Sequence, residues 1–426
     1  MILAYRIFSN FLYPFLVIFL FFRIFLKKED RKRFKEKIFI KNFNFKKKTK
    51  YRLIWFHAAS IGEYKSILPI IKNINEKKEN IEFLITTNTL SSGHLAEIDL
   101  KKFDNVVHRF MPLDVEFLIE NFLNTWKPDR IFLVDSEIWP NLILKAKQKR
   151  IPIALINARI TKKSFRRWIS FPKTASKIFS IFDLSLCSNQ ETKVFLEKLK
   201  ARNVIYEGNI KLIKETNKEK LNENDLKILS KSRFWLAASI HKEEDVFCLQ
   251  THKELKKYYD DIITIIAPRH LDRVEKIKLL SDNLNYKTQI LAKDDYIRND
   301  VEIIIINSFG VLQNYLRYAK SVFIGKSIIK RLKDDSGQNP IDAAYLGCKV
   351  YHGPYVSNFY EIYEILNKNK IATKINNYNE LSKNLINDLQ DVKKIKSYNA
   401  STIQTLGQNI LFNTMKILEN FLHDKN

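Results

Sequence analysis

The stretch HAASIGE at residues 57–63 combines a serine, a glycine and a glutamate directly after an apolar run. The glycine suits a tight turn, and a helix beginning near Glu63 would favour a carboxylate in its first turn through its dipole. At a strand end, such a carboxylate would face a ligand and could act as a base. Ser60 and Glu63 also stand at the spacing of a capping box. Taken alone, the spacing favours capping, and a glutamate folded back on its own backbone is a poor general base.

Two further acids, Asp135 and Glu137, lie in the stretch DSEIWPN, which follows the apolar run at 130–134. Because a proline such as Pro140 suits a first helical position, these acids stand between a strand and a helix. Arg159 follows another apolar run in the same way, and its guanidinium group suits a phosphate or a carboxylate. The alternatives are an N-terminal cap for the acids and a solvated surface side chain for the arginine.

A second group of polar residues lies in the later half of the chain and points to anion binding. Arg269 and His270 follow the strongly apolar run IITIIA, where a guanidinium fork could bind an anion. In SGQNPIDAA at 336–344, a glycine turn and a proline predict a helix start with free N–H groups, which bind anions without a metal.

The same stretch contains side chains that could bind the rest of a nucleotide. Gln338 and Asn339 lie in the turn, and Asp342, one turn into the helix, could accept hydrogen bonds from ribose hydroxyls. An ordinary capped helix explains this pattern equally well.

These residues stand between short apolar runs that alternate with amphipathic stretches, the pattern of parallel sheets covered by helices on both faces. We predict strands in two series, at 51–58, 81–87, 130–134, 151–156, 183–187 and 203–206, and at 234–239, 262–267, 301–306, 321–325 and 349–352. Helices are predicted at 63–77, 115–126, 139–149 and 408–423. The polar stretch 211–231 reads as a linker or a surface helix. Two such series predict two Rossmann-like domains facing a cleft, with ligands beyond the carboxyl ends of the strands.

The N-terminal segment 7–26 is nearly long enough to cross a bilayer core, which takes about 20 apolar residues. Residues 27–50 hold twelve Lys/Arg and three Asp/Glu, which marks the chain that follows as cytoplasmic. Two interpretations remain open, a membrane span and a helix embedded in one leaflet. A buried helix of the globular part is disfavoured, because the basic cluster would then meet no acidic surface.

Charge and cysteine content exclude several classes of protein. The net charge of +26 suggests nucleic acid, but it reflects a general Lys, Asn and Ile bias and is concentrated beside the apolar segment, which favours a membrane surface. Three scattered cysteines fit neither a disulfide framework nor a zinc site. The sequence has no Walker, HExxH, G-x-S-x-G or kinase motif, and the lack of G-x-G-x-x-G argues against an NAD enzyme.

Nine stretches in order resemble the 3-deoxy-D-manno-octulosonic acid (Kdo) transferases, over about residues 1–365. They are FHAASIGE, TTNTLSSG, DSEIWPN, NARITKKSF, GNIK, AASIHKEED, PRH, SGQNPIDAA and GPYVSNF. The resemblance implies the GT-B glycosyltransferase fold, an α/β fold with two Rossmann-like domains and a central cleft, here preceded by a membrane-anchor helix. The implied division is an anchor and basic flank at 1–36, an acceptor domain at 37–212, a nucleotide-sugar domain at 213–405 and a C-terminal helix at 406–426.

The resemblance also implies the activity, which is inverting transfer of Kdo from CMP-Kdo to a lipid A precursor, lipid IVA, in lipopolysaccharide biosynthesis. Glu63 would be the catalytic base. The implied donor-binding residues are Arg269, His270, Gln338, Asn339, Asp342, Asn209 and Lys211, and those on the acceptor side are Ser60, Asp135, Glu137 and Arg159. No metal or other cofactor and no nucleic acid is expected. The implied location is the cytoplasmic face of the cell inner membrane.

Departures from the family pattern lie in the donor domain. The family's Gly-Gly-His-Asn and Glu are here Ser336-Gly337-Gln338-Asn339 and Asp342, and two acids of another stretch are replaced by Asn307 and Val311. Two alternatives therefore stay open. One is a membrane-associated GT-B sugar transferase with an altered donor, and the other is a non-catalytic, basic membrane-binding relic.

Overall fold

A computed structural model describes residues 2–42, 51–77, 80–214, 221–391 and 397–423. The chain forms two compact units: unit 1 comprises 1–214 and 407–426, and unit 2 comprises 215–406. Residues 43–50 of the basic stretch 27–50, and residues 215–220 of the predicted linker, lie outside the described residues.

Unit 1 contains, within its described residues, a parallel sheet of seven strands in the order β3-β2-β1-β4-β5-β6-β7. The strands are β1 (Arg52–His57), β2 (Ile81–Thr87), β3 (Val106–Phe110), β4 (Arg130–Val134), β5 (Ile153–Ala158), β6 (Leu184–Cys187) and β7 (Val204–Tyr206). The helices are α1 (Ile2–Phe25), α2 (Ile61–Lys77), α3 (Leu90–Asp99), α4 (Glu116–Trp126), α5 (Pro140–Gln148), α6 (Lys162–Ile169), α7 (Pro172–Phe179) and α8 (Gln190–Lys198). Since helices cover both faces, the central strands are continuous apolar runs, and all residues of β2, β4 and β5 are buried.

Unit 2 repeats this architecture with a described seven-stranded parallel sheet in the order β10-β11-β9-β8-β12-β13-β14. Its strands are β8 (Arg233–Ile240), β9 (Ile262–Pro268), β10 (Thr288–Leu291), β11 (Ile303–Ile306), β12 (Ser321–Ile324), β13 (Lys349–His352) and β14 (Ala372–Lys374). Its helices are α9 (Glu223–Lys231), α10 (Glu244–Lys256), α11 (Val274–Asp282), α12 (Leu312–Leu316), α13 (Ile341–Tyr345), α14 (Tyr360–Lys368) and α15 (Tyr378–Asp388). The last helix of the chain is α16 (Ser397–His423), and its residues from 407 belong to unit 1.

The strand order reverses beside the first strand of each unit, so that β1 pairs with β2 and β4, and β8 pairs with β9 and β12. At such a switch point the two connections leave in opposite directions and open a crevice at the carboxyl ends of the strands. The loops after β1 and β4 in unit 1, and after β8 and β12 in unit 2, are therefore the places where each unit can bind a ligand.

The predicted fold class is confirmed: two Rossmann-like α/β units follow an apolar N-terminal helix. Every predicted strand is present within a few residues, but three strands were not predicted, namely β3, β10 and β14. The predicted last helix, 408–423, begins eleven residues earlier, at Ser397. The predicted surface helix within 211–231 is α9.

Helix α1 is long and apolar enough to cross a membrane, which by length and composition alone is weak evidence of membrane association. Among its described residues Leu20 alone is buried, and Phe8, Phe11 and Phe15 are more than half exposed. One side of α1 nevertheless bonds to unit 1, because the Tyr5 hydroxyl donates to the Asp114 carboxylate over 2.9 Å. The helix therefore presents an apolar outer side while its inner side is held by the domain.

Candidate active site

In unit 1, the residues after β1 form the turn into α2 and hold Glu63 at the switch point. The Glu63 carboxylate accepts a hydrogen bond from the Ala59 N–H over 2.8 Å and another from the Ser60 hydroxyl over 2.8 Å. The Glu63 N–H donates in turn to the Ser60 hydroxyl oxygen over 3.4 Å. Ser60 thus caps the helix as the spacing predicted, whereas the carboxylate bonds to the N–H one residue before the serine, and these bonds fix where the carboxylate lies.

The environment of Glu63 makes its carboxyl group a stronger base than usual. Burial raises the pKa of Glu63 above its ordinary value, and the negative charges of Asp135 and Glu137 raise it further. The hydrogen bonds from its own turn oppose this rise. A carboxylate destabilised by its neighbours binds a proton more readily, which is what a general base requires.

Asp135 and Glu137 follow β4, next to β1, and bring two more acids to the same switch point. The Lys211 ammonium group contacts the Asp135 carboxylate, which is buried. The Glu137 carboxylate accepts a hydrogen bond from the Trp139 indole N–H over 2.7 Å and lies 3.2 Å from His57 Nε2. The two acids are thus held by separate partners on the border of the crevice.

The other residues assigned to unit 1 lie around these acids. The Arg159 N–H donates to the Asp135 carbonyl over 3.2 Å, so the loops after β4 and β5 are tied together. The Asn209 side chain accepts from the Lys211 N–H over 3.0 Å and caps a short turn. The GNIK motif assigned Asn209 and Lys211 to binding of the sugar donor. In the structure, Lys211 contacts Asp135, which was assigned to the acceptor side.

His57 was not assigned a role from the sequence, although it is the first residue of the HAASIGE stretch. Its ring is fully buried, and Nδ1 lies 2.9 Å from the Thr86 hydroxyl while Nε2 faces Glu137. It therefore connects the centre of the sheet to the acid cluster. Its partners lie 29 and 80 residues away along the chain, so only the fold reveals them.

In unit 2, cationic side chains collect beyond the carboxyl ends of β8, β9 and β12. Arg269 and His270 follow β9 and are exposed, and the His270 ring stands perpendicular to the His241 ring with centroids 5.5 Å apart. Burial lowers the pKa of His241 to about 4, and positive neighbours contribute to this shift, namely Lys326, His270, Arg269 and Arg273. This concentration of positive charge is suited to a phosphate.

The stretch SGQNPIDAA lies beside this cationic cluster in unit 2. The side-chain amide nitrogen of Gln338 is 3.2 Å from His241 Nε2, and the main-chain carbonyl of Gln338 accepts a hydrogen bond from the Tyr363 hydroxyl over 3.0 Å. The Asn339 side chain accepts from the Ile341 N–H over 2.9 Å, so this one N–H of the helix start is already bonded. Helix α13 here is also only 5 residues long, which gives it little dipole.

Asp342, predicted to bind ribose hydroxyls, lies in α13. Its carboxylate accepts a hydrogen bond from the Gln313 side-chain amide over 3.0 Å. That bond helps to orient the carboxylate.

Sequence reasoning missed Glu244, which organises the switch point of unit 2. Its carboxylate is fully buried and accepts four backbone hydrogen bonds of 2.7–3.3 Å, from the N–H groups of His241, Lys326, Ser327 and Ile328. The loops after β8 and β12 are thereby joined by one side chain. Gly325 is required beside it, since a Cβ there would come within 2.5 Å of the Ile240 Cα and 2.8 Å of the Glu244 carboxylate.

Within the described ranges, no cluster of three or more His, Cys, Asp or Glu side chains could hold a metal ion.

A family model described as 3-deoxy-D-manno-octulosonic-acid transferase (kdotransferase) matches residues 32–213. The probable mitochondrial 3-deoxy-D-manno-octulosonic acid transferase of Arabidopsis thaliana is 32% identical over 72% of this chain and 70% of its own length. The 3-deoxy-D-manno-octulosonic acid transferase of Rickettsia typhi is 30% identical over 87% of this chain and 78% of its own length. The chain belongs to this family. It is therefore a glycosyltransferase that carries out Kdo transfer.

The similarity extends over nearly the whole Kdo transferase chain in another relative, and solved structures share its fold. The 3-deoxy-D-manno-octulosonic acid transferase of Rickettsia bellii is 29% identical over 99% of this chain and 98% of its own. A glycosyltransferase from Rickettsia africae superposes with a TM-score of 0.57, at 13% identity, over 89% of this chain and 100% of that one. UDP-GlcNAc 2-epimerase from Neisseria meningitidis superposes with a TM-score of 0.56, at 15% identity, over 85% of this chain and 100% of that one. At these identities the two structures show the GT-B fold alone.

Proposed function

We propose that this Kdo transferase moves Kdo from CMP-Kdo to a lipid A precursor, lipid IVA, with inversion at the anomeric carbon, in lipopolysaccharide biosynthesis. The observation that carries the proposal is the Glu63 carboxylate, which hydrogen bonds from Ala59 and Ser60 hold at the switch point of unit 1 and whose pKa is raised by burial. Membership of the family and the cationic cluster of unit 2 support the choice of sugar and of a phosphate leaving group.

In the proposed reaction, Glu63 takes the proton of a primary hydroxyl of the lipid sugar. The hydroxyl oxygen forms a bond to the anomeric carbon of Kdo, and the bond from that carbon to the CMP phosphate oxygen breaks. CMP leaves with the electron pair, and the proton stays on Glu63 until it passes to water. Each step balances without a metal or a further reactant.

The hydrogen bonds that Glu63 accepts from Ala59 and Ser60 do not prevent this role. Each carboxylate oxygen accepts one of the two bonds, and each has a second lone pair. A substrate hydroxyl can therefore donate to Glu63 while the turn stays intact. A glutamate folded back on its own turn can therefore still act as a base, because folding back also fixes the orientation of the carboxylate.

For the donor, we propose that Arg269, His270 and Lys326 stabilise the negative charge that develops on the CMP phosphate. Preorganised cations at a leaving phosphate are worth several kcal/mol, about 10²–10³ in rate for one donor. Gln338 and Asn339 would position the nucleotide from the adjacent turn, and Asp342 would accept from the ribose. No nucleic acid partner is proposed.

For location, we propose the cytoplasmic face of the inner membrane, with α1 lying in one leaflet. The apolar outer side of α1 suits lipid, and the basic residues that follow it suit anionic headgroups. The hydrogen bonds of its inner side with unit 1 favour a helix in the plane of the membrane. A helix crossing the bilayer would have to break them.

The test is incubation of the purified chain in mixed micelles with lipid IVA and CMP-Kdo, with products weighed by mass spectrometry. A product heavier by one or more Kdo residues is expected. Parallel reactions with UDP-sugars test the altered-donor alternative. Sugar transfer from a UDP-sugar but not from CMP-Kdo would contradict the proposed donor, and transfer from neither would contradict the proposed function.

A further inference from the structure

An apolar groove of about 980 Å³ runs between α1 and the helices α5 to α7 of unit 1. One wall is formed by α1, with Ala4, Phe8 and Phe11, and the other includes Trp139 and Trp168. A volume near the upper end of the ~300–1,000 Å³ range of ligand sites is large enough for a chain molecule. The lining is almost wholly hydrocarbon and aromatic, so its occupant should be apolar.

The groove exists because α1 is fixed to the domain by polar bonds along one side. The Tyr5 hydroxyl donates to Asp114, and the Ser9 hydroxyl accepts from the Asn141 amide over 3.2 Å. One turn further on, the Tyr13 hydroxyl donates to the Ile38 carbonyl over 2.7 Å. Residues at intervals of four share one side of a helix, so these bonds hold the first half of α1, the part that lines the groove.

One end of the groove reaches the acid cluster of the candidate active site. Trp139 lines the groove, and its indole N–H donates to Glu137, whose charge contributes to the raised pKa of Glu63. A molecule with its apolar part in the groove would place its polar end beside these carboxylates.

Helix α6, which lies beside the groove, is strongly basic. Helix α6 contributes Trp168 to the lining and holds Lys162, Lys163, Arg166 and Arg167 without any acid. These four side chains are exposed. An exposed basic helix beside an apolar groove is complementary to a lipid whose head carries phosphates.

We infer that the groove binds an acyl chain of the lipid acceptor, with its sugar beside Glu137 and Glu63. This inference rests on the proposed function and extends it, because it assigns an acyl-chain site to the wall that α1 makes with α5–α7. Recognition then depends on the chain as well as on the sugar.

The first experiment compares an acylated acceptor with its fully deacylated, water-soluble form in the full-length protein. Ala4→Phe narrows the groove at an exposed position, and Leu3→Phe, on the neighbouring residue outside the lining, is the matched control. For Ala4→Phe we expect KM for the acylated acceptor to rise about tenfold. The larger side chain should exclude roughly two methylenes of the acyl chain from the groove, at about 0.8 kcal/mol each. The kcat, and the KM for the deacylated acceptor, should be as in the wild type, and Leu3→Phe should not change either KM.

The second experiment detects an occupied groove without catalysis, by fluorescence quenching in micelles of acceptor with brominated acyl chains. Trp139 and Trp168 line the groove, whereas the other tryptophans, Trp55, Trp126 and Trp235, are fully buried. Emission from the wild type should therefore fall through the two groove tryptophans alone. It should fall less in Ala4→Phe.

The two readouts separate the possible results. Quenching with an unchanged ratio of the two KM values in Ala4→Phe would mean that bulk lipid occupies the groove, and it would overturn the inference. Absence of quenching would overturn it as well. Quenching without Kdo transfer by the wild type to either acceptor would instead refute the proposed function, and the inferred acceptor with it.

Discussion

Replacing Glu63 by glutamine removes the proposed base while leaving its turn almost unchanged. Glutamine is as long as glutamate, its carbonyl can accept from the Ala59 N–H, and its amide can donate to the Ser60 hydroxyl oxygen. At most one hydrogen bond, about 0.5–1.5 kcal/mol, is at risk. The substitution also removes a negative charge that Asp135 and Glu137 repel, and this change stabilises the folded protein. We therefore expect the free energy of unfolding to change by less than about 1.5 kcal/mol.

The activity of Glu63→Gln should fall far more than its stability. General base catalysis contributes about 10²–10⁴ in rate, so kcat should fall by that factor, with KM for CMP-Kdo unchanged. The assay follows Kdo incorporation into the lipid acceptor. Glu76→Gln is the matched control, because Glu76 lies on the same helix and is exposed. A Glu63→Gln enzyme with wild-type kcat would refute the role of Glu63.

The pH dependence of the wild type gives a second check on Glu63. Because the base is active when deprotonated, kcat/KM should rise with pH through a pKa above the ordinary 4.5. A carboxyl pKa raised by folding stabilises the protein below the unfolded pKa, and this stability is lost as pH rises through the folded pKa. The wild type should therefore lose stability, relative to Glu63→Gln, as pH rises through that window. Parallel stability curves for the two proteins would contradict the raised pKa.

Two further predictions concern unit 2. Glu244→Gln replaces one carboxylate oxygen by an NH₂ group that faces two N–H donors, so the free energy of unfolding should fall by about 2–4 kcal/mol in urea titration. Glu254→Gln, at a partly exposed position of the same helix, should have little effect. An unchanged urea midpoint would contradict the four-bond arrangement. Arg269→Ala should raise KM for CMP-Kdo about 10–100-fold and leave KM for the lipid acceptor unchanged, in steady-state kinetics. Equal effects of Arg298→Ala, also in unit 2 and exposed, would show that Arg269 acts only through net charge.

Most of the two sheets could be predicted from the sequence, because a strand covered on both faces is a continuous apolar run. The three strands that were missed, β3, β10 and β14, are all at sheet edges. Edge strands are partly exposed and tolerate polar residues, as in the sequences VVHRF, TQIL and ATK. Their pairing depends on the neighbouring strand already being in place, which no local pattern records.

The site was predictable where it depends on one strand and the turn that follows. Glu63 and Ser60 bond within one turn, and their spacing alone predicted it. The contacts of His57, Lys211 and Glu244 join loops that are far apart along the chain. A single sequence contains no signal for such a pair, because either side chain alone is indistinguishable from an ordinary core or surface residue.

The completion of unit 1 by residues from 407 onward has a consequence for biosynthesis. The Phe421 and Leu422 carbonyls accept hydrogen bonds from Arg130 and Arg52, and Ile410 packs against Gly208. These residues leave the ribosome after those of unit 2, which is continuous from 215 to 406. During translation unit 2 can therefore fold first, while unit 1, although synthesised earlier, waits with an uncovered face that chaperones must protect.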